Sequence, residues 1–407
     1  MLRGGVLGDG TPVEVSLDPA AGLILEVAAV VPAASGDVEF CCEGLVILPA
    51  PAEPHAHLDK ALSAEAPGCD NPDGDLGGAI SVWHAHWASL SHHDLVARAT
   101  RAVETMVLAG TTAIRSHVDV GPGLGLTALR ALLEVKQDVA RRGLCDLQLV
   151  ALVTAPLAGP PGAANRRLLE EALEAGVDVV GGCPYRDDDP VAATVILLEA
   201  AQRFGVPVDA HTDETLDPTV MTLGDLARLV AERAPGVPVT ASHCVSLGMA
   251  EPGRQAQVAA AVAGAGVAVI TLPQTNLYLQ ARGIASRAPR GLTALRALLE
   301  AGVVVGAGAD NVRDPFCAVG RLDATETAAL LVMAGHLSPS EAWAACSTDA
   351  RRVMGVPGGR IAPGEAAEIL CIEGSSLAGA VASGSERRLT IHAGRVVARA
   401  EVTRTLY

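Results

Sequence analysis

The chain has 407 residues, of which 50% are hydrophobic and 19% are charged, and its formal net charge is −16. This composition excludes a disordered chain, and no stretch provides the roughly 20 consecutive apolar residues that a membrane span needs. The negative charge disfavours nucleic acid and anionic membranes as partners. We therefore expect a small neutral or cationic molecule as the partner.

The cysteines indicate a reducing compartment. There are nine of them, none in a Cys-x-x-Cys pair, and the amino-terminal residues contain no apolar signal segment. Free thiols without a disulfide framework are typical of the cytoplasm. We expect a cytoplasmic protein, and assembly as a homo-oligomer is compatible with the sequence.

Both ends of the chain contain short apolar or alternating runs separated by Gly, Pro and Asp, a pattern typical of β-strands. The predicted terminal strands are Val13–Leu17, Leu23–Val31, Val38–Phe40, Ile369–Ile372, Leu389–Ile391 and Arg395–Val397. Residues 1–50 and 358–407 are therefore predicted to form one composite β-sandwich domain. Residues 51–357 form the second predicted domain.

The middle of the chain alternates apolar runs with helical patterns, which favours an α/β fold built from βα units. The predicted strands are Leu45–Ala50, Thr111–Ser116, Leu147–Val153, Val177–Gly181, Val206–Ala210, Val237–Ala241, Val267–Leu272 and Val303–Ala307. Eight such strands predict a closed (β/α)8 TIM-type barrel. Its active site is expected at the C-terminal ends of the strands.

One motif offers paired metal ligands. The segment from Pro51 to Lys60 reads Pro-Ala-Glu-Pro-His-Ala-His-Leu-Asp-Lys and follows the apolar run Leu45–Leu48. Residues at i and i+2 of a strand share a face. His55 and His57 are therefore predicted to emerge together at the end of this strand and to bind one metal ion.

Other polar residues follow later predicted strands, as a barrel active site requires. His117, His211, His243 and Asp310 each lie at or just after a strand. The three imidazoles of His55, His57 and His211, completed by the Asp310 carboxylate, suit Zn²⁺ or Fe²⁺. We predict that these four side chains bind one divalent metal ion.

Three residues are predicted to carry the proton transfers. Glu214 follows His211 by three residues, close enough to take a proton from activated water and pass it to a leaving group. His243 is expected to polarise a substrate oxygen or to assist deprotonation of the water. Asp310 is a second candidate to accept that proton.

Two further patterns bear on which histidines bind the metal ion and on how many ions are bound. His84-Ala-His86 repeats the His-x-His spacing but follows no strand, so we interpret it as part of a lid or a helix face. Binuclear barrel hydrolases often use a carboxylated lysine at the fourth strand, where this chain has Gly182-Cys183-Pro184. A single metal ion is the expectation that follows.

These motifs resemble the amidohydrolase superfamily over nearly the whole chain, and within it the cytosine-deaminase-like branch that includes N-isopropylammelide amidohydrolases. The matching segments are Glu53–Asp59, Ser116–Asp119, His211–Glu214, Ala241–His243, Asn276–Arg282 and Ala309–Pro315. The resemblance implies the same four metal ligands, with Glu214 and His243 as the proton-handling and polarising pair.

Some positions depart from cytosine deaminases and bear on the substrate. Thr154 stands where the resemblance places a glutamine that contacts the pyrimidine, and Asn311 stands where it places an aspartate. These differences argue against cytosine itself. The residues predicted to contact the substrate are Thr154, Gln280, Arg282, Asn311 and Phe316, with Trp83 as a further residue of the pocket wall.

The resemblance implies a metal-dependent hydrolytic deaminase that releases ammonia or an amine from an amino- or N-alkylamino-substituted nitrogen heterocycle. A cyclic amidase that opens a ring amide is the alternative, and a barrel that only binds a ligand is the third hypothesis. Asp59 and Lys60 have two open roles, contact with the substrate or attachment of the first loop, and we favour the second.

Overall fold

The computed structural model describes residues 1–32 and 38–407, and these residues form two β-sheets and their connecting helices. The described strands are Leu2–Leu7 (β1), Pro12–Asp18 (β2), Leu23–Ala28 (β3), Phe40–Cys41 (β4), Leu45–Pro49 (β5), Ala52–Ala56 (β6), Ala113–Val120 (β7), Asp146–Val153 (β8), Val179–Gly182 (β9), Val208–Thr212 (β10), Val239–His243 (β11), Ala268–Thr271 (β12), Val305–Ala307 (β13), Ile369–Glu373 (β14), Arg388–His392 (β15) and Arg395–Ala400 (β16).

The described helices are Leu76–His86 (α1), His92–Leu108 (α2), Thr127–Arg142 (α3), Ala163–Glu174 (α4), Pro190–Phe204 (α5), Thr222–Arg233 (α6), Val245–Met249 (α7), Pro252–Gly264 (α8), Pro273–Leu279 (α9), Leu295–Glu300 (α10), Ala324–Met333 (α11), Pro339–Cys346 (α12), Thr348–Met354 (α13) and Leu377–Ser383 (α14). Short 3₁₀ turns cover Trp87–Ser89 and Pro184–Arg186. Across the described parts of the chain, no helix is both long enough and apolar enough to cross a membrane.

The eight strands β6 to β13 form one parallel sheet in sequence order. Each pairs with the next, and an isolated parallel bridge between Ala56 and Asp310 joins the first strand to the segment after the last. The helices between them bury apolar faces against the sheet. In α3, for example, Leu129, Leu132 and Val139 are fully buried at helical spacing. The predicted (β/α)8 barrel is confirmed.

The first predicted barrel strand was wrong. Leu45–Pro49 (β5) lies in the other sheet, where it pairs with β14 and β1, and the barrel begins with Ala52–Ala56 (β6). An all-apolar run identifies a buried strand but not the sheet to which it belongs. The true first strand contains Pro54, which weakens its β-strand pattern. The pairing with β7 is interrupted between Glu53 and Ala56, around this proline.

The second sheet is mixed and comes from both ends of the chain, as predicted. Its order is β16-β15-β14-β5-β1-β2-β3, with β4 paired to β1. A separate apolar cluster that includes Leu2, Val15, Ile47 and Ile369 fills one face. We call this the terminal sheet. The strand Leu2–Leu7 was absent from the prediction, because its central Arg3-Gly4-Gly5 interrupts the apolar pattern.

The first and last barrel strands are joined by the side chain of Glu53, at a junction that we call the barrel seam. Its two carboxylate oxygens accept hydrogen bonds from the backbone N–H groups of His55 (3.0 Å) and Ala309 (2.9 Å). Asp310 N–H also donates to the His55 carbonyl at 3.0 Å. A Cβ at Gly308 would lie 2.2 Å from the Glu53 carboxylate. Glycine is therefore required where the two strands meet.

Replacing Glu53 with alanine should destabilise the barrel, because the buried N–H groups of His55 and Ala309 lose their acceptor. Each unsatisfied group costs about 1–3 kcal/mol. We expect the free energy of unfolding to fall by about 2 kcal/mol or more, measured by denaturant unfolding. The exposed Glu65→Ala variant is the control. Equal stability of the two variants would contradict the role of Glu53.

Candidate active site

The histidines and the aspartate converge at the C-terminal ends of the barrel strands. His55 lies in β6, His117 in β7, His211 in β10 and His243 at the end of β11, and Asp310 follows β13. His243 and Asp310 adopt left-handed backbone conformations, with φ of +71° and +67°. Such conformations are costly outside glycine and concentrate at functional sites, where neighbouring contacts hold them.

The imidazole rings form a compact cluster around His55. Its ring centroid lies 3.9 Å from that of His117, 4.6 Å from that of His211 and 5.3 Å from that of His57. The ring centroids of His211 and His243 lie 4.9 Å apart. Imidazoles at these distances can direct several nitrogen atoms toward one point.

Asp310 faces this cluster and supplies an oxygen. Its Oδ1 lies 3.1 Å from His57 Nε2 and 3.7 Å from His55 Nε2, and its Oδ2 lies 4.0 Å from His243 Nε2. Ligand atoms from His55, His57 and His211 also lie within 4.8 Å of one another, as do those from His55, His243 and Asp310. We call His55, His57, His211 and Asp310 the donor set, and these four side chains could hold a metal ion.

Burial keeps the imidazoles in the electronic state that a cation requires, and it makes a carboxylate without a cation beside it costly. Desolvation lowers the pKa of His55, His57 and His211 well below the usual value, so the imidazoles are neutral and retain a lone pair. The same effect raises the pKa of Asp310. Within the described chain, His55 Nε2 and both Asp310 oxygens are buried without a hydrogen-bond partner. A divalent cation fits this set, because it would satisfy these atoms together.

The second nitrogen of His55 is held by a buried polar chain. Ser242 Oγ lies 2.9 Å from His55 Nδ1 and donates to Asp209 at 2.8 Å. Arg115 donates to the other oxygen of Asp209 at 2.9 Å. Partners of this kind fix the orientation of a ligating imidazole. This series of hydrogen bonds leaves His55 Nε2 directed toward Asp310.

His117 lies behind His55 and belongs to a second possible donor group. His55, His117 and Asp209 also offer ligand atoms within 4.8 Å of one another. Asp209, however, already accepts hydrogen bonds from Ser242 and Arg115. The group that includes His57, His211 and Asp310 is therefore the better donor set.

Glu214 and His243 lie beside the donor set. Glu214 Oε1 is 3.6 Å from His243 Nδ1, and the Tyr185 hydroxyl donates to Glu214 Oε2 at 3.4 Å. Burial raises the pKa of Glu214 to about 8 and lowers that of His243 to about 3. The Asn276 side-chain amide lies 3.2 Å from His243 Nδ1. Near neutral pH, the pair therefore consists of a carboxyl that can hold a proton and a neutral imidazole.

A cavity of about 340 Å³ opens onto these groups. Its wall includes His57, His211, Glu214, His243 and Asp310, so the donor set and the proton-handling pair face the same space. Most of the remaining wall is apolar or aromatic. A volume of this size is at the small end of sites for small organic molecules.

A family model described as "Amidohydrolase family" matches residues 84–398, which is most of the chain. The chain belongs to the amidohydrolase family. This assignment confirms the predicted superfamily and the predicted enzyme class, a hydrolase that acts on carbon–nitrogen bonds.

Named relatives of this amidohydrolase include two deaminases and an isopropylaminohydrolase. It is 32% identical to a pterin deaminase of Rhizobium rhizogenes over 360 residues, which cover 87% of this chain and 81% of the relative. The structure of 5-methylcytosine deaminase from Klebsiella pneumoniae, liganded with phosphonocytosine, matches with a TM-score of 0.88, 29% identity and 100% of both chains. N-isopropylammelide isopropylaminohydrolase from Burkholderia multivorans matches with a TM-score of 0.84, 28% identity and 98% of both chains.

The residues predicted to contact the substrate lie in different places in this amidohydrolase. Thr154, Asn311 and Phe316 line the cavity. Gln280 lines a shallower adjoining groove. Arg282 is exposed, and its guanidinium lies 4.5 Å from the Tyr278 ring. The substrate-contacting role of all five stays a prediction, and the first three lie on the wall of the same cavity as His57, His211 and Asp310.

Sequence reasoning missed several groups of this site. Ser242 and Asp209, which hold His55, were not singled out, although Asp209 is a polar residue inside a predicted strand and Ser242 directly follows another, and that placement was a usable signal. Tyr185 and Arg186, in the turn after β9, also line the cavity and were not proposed. His84 lies in the helix α1 and on the cavity wall, and its interpretation as part of a lid stays a prediction.

Replacing Ser242 with alanine should weaken metal binding, because His55 loses the group that orients its ring. Loss of such a partner typically lowers metal affinity about 10- to 100-fold. The affinity can be measured by titrating metal-free protein with Zn²⁺. Ser347→Ala removes another buried hydroxyl, one that donates to the Trp343 carbonyl away from the cluster. It should keep the original affinity, and equal loss in both variants would contradict the orienting role.

Proposed function

We propose that the chain is a metal-dependent hydrolytic deaminase of an amino- or N-alkylamino-substituted nitrogen heterocycle, with ammonia or an amine as the leaving group. The observation that carries the proposal is the position of Glu214 and His243, 3.6 Å apart on the wall of the cavity onto which the His/Asp donor set opens. Relatives named as deaminases of pterin and 5-methylcytosine support the substrate class.

We further propose one divalent ion, Zn²⁺ or Fe²⁺, held by His55, His57, His211 and Asp310. When bound, it would supply Lewis acidity that lowers the pKa of water from about 15.7 toward 7. Three imidazoles and one carboxylate suit either ion. Lys136 lies on α3 and donates to Asp178 at 2.7 Å. It is thus engaged elsewhere. The residues that follow β9 are Cys183 and Pro184, so no lysine lies there to bridge a second ion, which supports a single ion.

Glu214 is the proposed proton carrier. Because burial raises its pKa to about 8, the carboxyl can hold a proton near neutral pH and deliver it to a ring nitrogen. After it accepts a second proton from the attacking water, it can protonate the departing amine. The Tyr185 hydroxyl donates to its other oxygen and orients the group.

His243 is proposed to stabilise charge that develops on the substrate. The Asn276 amide nitrogen donates to its Nδ1, which leaves the proton of the neutral ring on Nε2. Nε2 is buried without a partner among the described residues. It can therefore donate to an oxygen that forms at the attacked carbon, in the manner of an oxyanion-hole donor.

Ring opening by a cyclic amidase is less well supported. Two of the relatives above are named as deaminases, and no lysine follows β9 to bridge two ions. Deamination is the function that the arrangement supports best. The nine free thiols support the proposed cytoplasmic location.

Glu214→Gln should retain the fold and the metal but lose most turnover, by about 10²- to 10⁴-fold, because the amide cannot carry the proton. The measurement is ammonia release in a screen of amino-substituted pyrimidines, triazines and pterins. Glu174→Gln, at an exposed position on α4, is the matched control and should keep full activity. Near-normal turnover in Glu214→Gln would exclude this proton carrier, and ring-opened products would favour the amidase.

Metal removal should abolish activity and lower the melting temperature, because three neutral imidazoles and a buried carboxylate lose their cation. Stoichiometric Zn²⁺ or Fe²⁺ should restore both properties. Saturation to 100 times the dissociation constant stabilises a protein by about 2.7 kcal/mol. The measurements are metal content, thermal unfolding and ammonia release. Full activity with far less than one ion per chain would contradict the proposal.

A further inference from the structure

Lys60 and Asp119 line the same cavity as the donor set, yet the mechanism above uses neither. Lys60 is 2% exposed and Asp119 is 6% exposed. The ammonium lies 2.8 Å from Asp119 Oδ1 and 3.1 Å from Asp59 Oδ2. A buried cation on the wall of a cavity is costly to maintain unless it is paired.

The first loop is attached by other groups. Asp59 is fully buried, lies outside the cavity wall and accepts from the backbone N–H of Asp119 at 3.1 Å. Arg98 donates to the carbonyls of Asp59 and Ala61. These bonds fix the loop after β6. The sequence interpretation, in which Lys60 also serves this purpose, does not explain why its ammonium lies at the cavity.

The positions of both groups are rigidly set. Trp83 Nε1–H donates to Asp119 Oδ2 at 2.9 Å. The Lys60 ammonium lies 5.6 Å from the Trp83 ring centroid and 5.9 Å from that of Phe316. These aromatic faces stabilise the cation and limit its access to water. Hydrogen bonds to a charged donor in such surroundings are strong.

One N–H group of Lys60 is left for a ligand. Two of its three hydrogens are directed to the Asp119 and Asp59 carboxylates. Its other polar neighbours among the described residues are Asp59 Oδ1, on the carboxylate that is already bonded, and His57 Nδ1, both at 3.4 Å. When His57 Nε2 binds a metal ion, the neutral ring carries its proton on Nδ1 and cannot accept from Lys60. Among the described residues, the third hydrogen of Lys60 then has no separate acceptor, and Lys60 lines the cavity.

We infer that Lys60 and Asp119 form a substrate-recognition pair for an oxo-substituted amino heterocycle. Lys60 donates to the ring oxo group, and Asp119 accepts from the neighbouring ring N–H or amino group with its remaining lone pairs. The inference rests on the proposed function for the class of ligand. It adds the residues that distinguish an oxo-bearing ring from the same ring without oxygen.

The test compares ligands that differ in the oxo group and in the lactam ring N–H that accompanies it. The pairs are 4-amino-2-oxopyrimidine with 4-aminopyrimidine, and 2-amino-4-oxopteridine with 2-aminopteridine. Binding to the metal-loaded protein is measured by calorimetry, before turnover, with Glu214→Gln as the background where turnover interferes. In at least one pair we expect the oxo member to bind about 10- to 100-fold more tightly, the range for a hydrogen bond to a charged group.

Lys60→Met should bring this ratio close to one, while Lys136→Met, at the other lysine of the chain, should leave it unchanged. Circular dichroism and metal content verify folding. If Lys60→Met does not fold, Lys60→Gln keeps a neutral donor for Asp119 and should reduce the ratio about tenfold, the difference between a charged and a neutral hydrogen bond. A ratio near one in the unmodified protein, no binding of either oxo member, or an unchanged ratio in the folded Lys60 variant would overturn the inference.

The measurements test the deaminase assignment and the recognition pair independently. If the oxo ratio is present and depends on Lys60 but no ring releases ammonia, the deaminase assignment is wrong and the recognition pair stands. If ammonia is released and the ratio is near one, the recognition pair is wrong and the deaminase assignment stands.

Discussion

Closure of the barrel between His55 and Asp310 is the contact on which the site depends. The backbone bond between them, with the two bonds accepted by Glu53, brings the first and last strand ends together. Parallel pairing then places the ends of all intervening strands on the same rim. A one-residue change of register would direct the alternate side chains inward and scatter the ligands. The metal chemistry of this chain is thus a consequence of backbone pairing.

Exclusion of water determines the pKa values of the polar groups at the rim of the barrel. Burial keeps the imidazoles neutral and raises the pKa of the Asp310 and Glu214 carboxyls. One physical effect therefore prepares lone pairs for a cation and a proton for transfer. Lys60 is the exception, since its two carboxylate partners keep it charged in the same surroundings. The cavity combines a site for a cation with a fixed cation of its own.

The parts of the fold that were predictable are those with strong local patterns. Buried parallel strands are nearly continuous apolar runs, and seven of the eight predicted barrel strands overlap those of the barrel. The first strand was misassigned because Ala52–Ala56 contains Pro54 and polar residues, while the preceding apolar run pairs in the terminal sheet. Which sheet a strand joins is decided by distant partners, such as β14 for β5, that no local pattern contains.

The site residues likewise include some that a local pattern can indicate and others that depend on distant contacts. His55, His211 and Asp310 could be proposed because strand ends of a barrel meet at one rim, whatever the loops do. Gln280 lies in the adjoining groove rather than in the cavity, because the short helix α9 carries it past the rim. The contacts of Ser242 with His55 and Asp209 depend on side-chain directions inside neighbouring strands. Such directions follow from register, which a single sequence does not contain.

The position of β5 in the terminal sheet affects the order of assembly. This strand lies between β1 and β14 and leads into the first barrel strand after two residues. During synthesis, β5 has no β14 neighbour until residues 369–373 have been made. Contacts of such long sequence separation slow folding. The strand β5, which leads into the strand that carries His55, is therefore anchored late, and until then its unpaired edge is open to pairing with other chains.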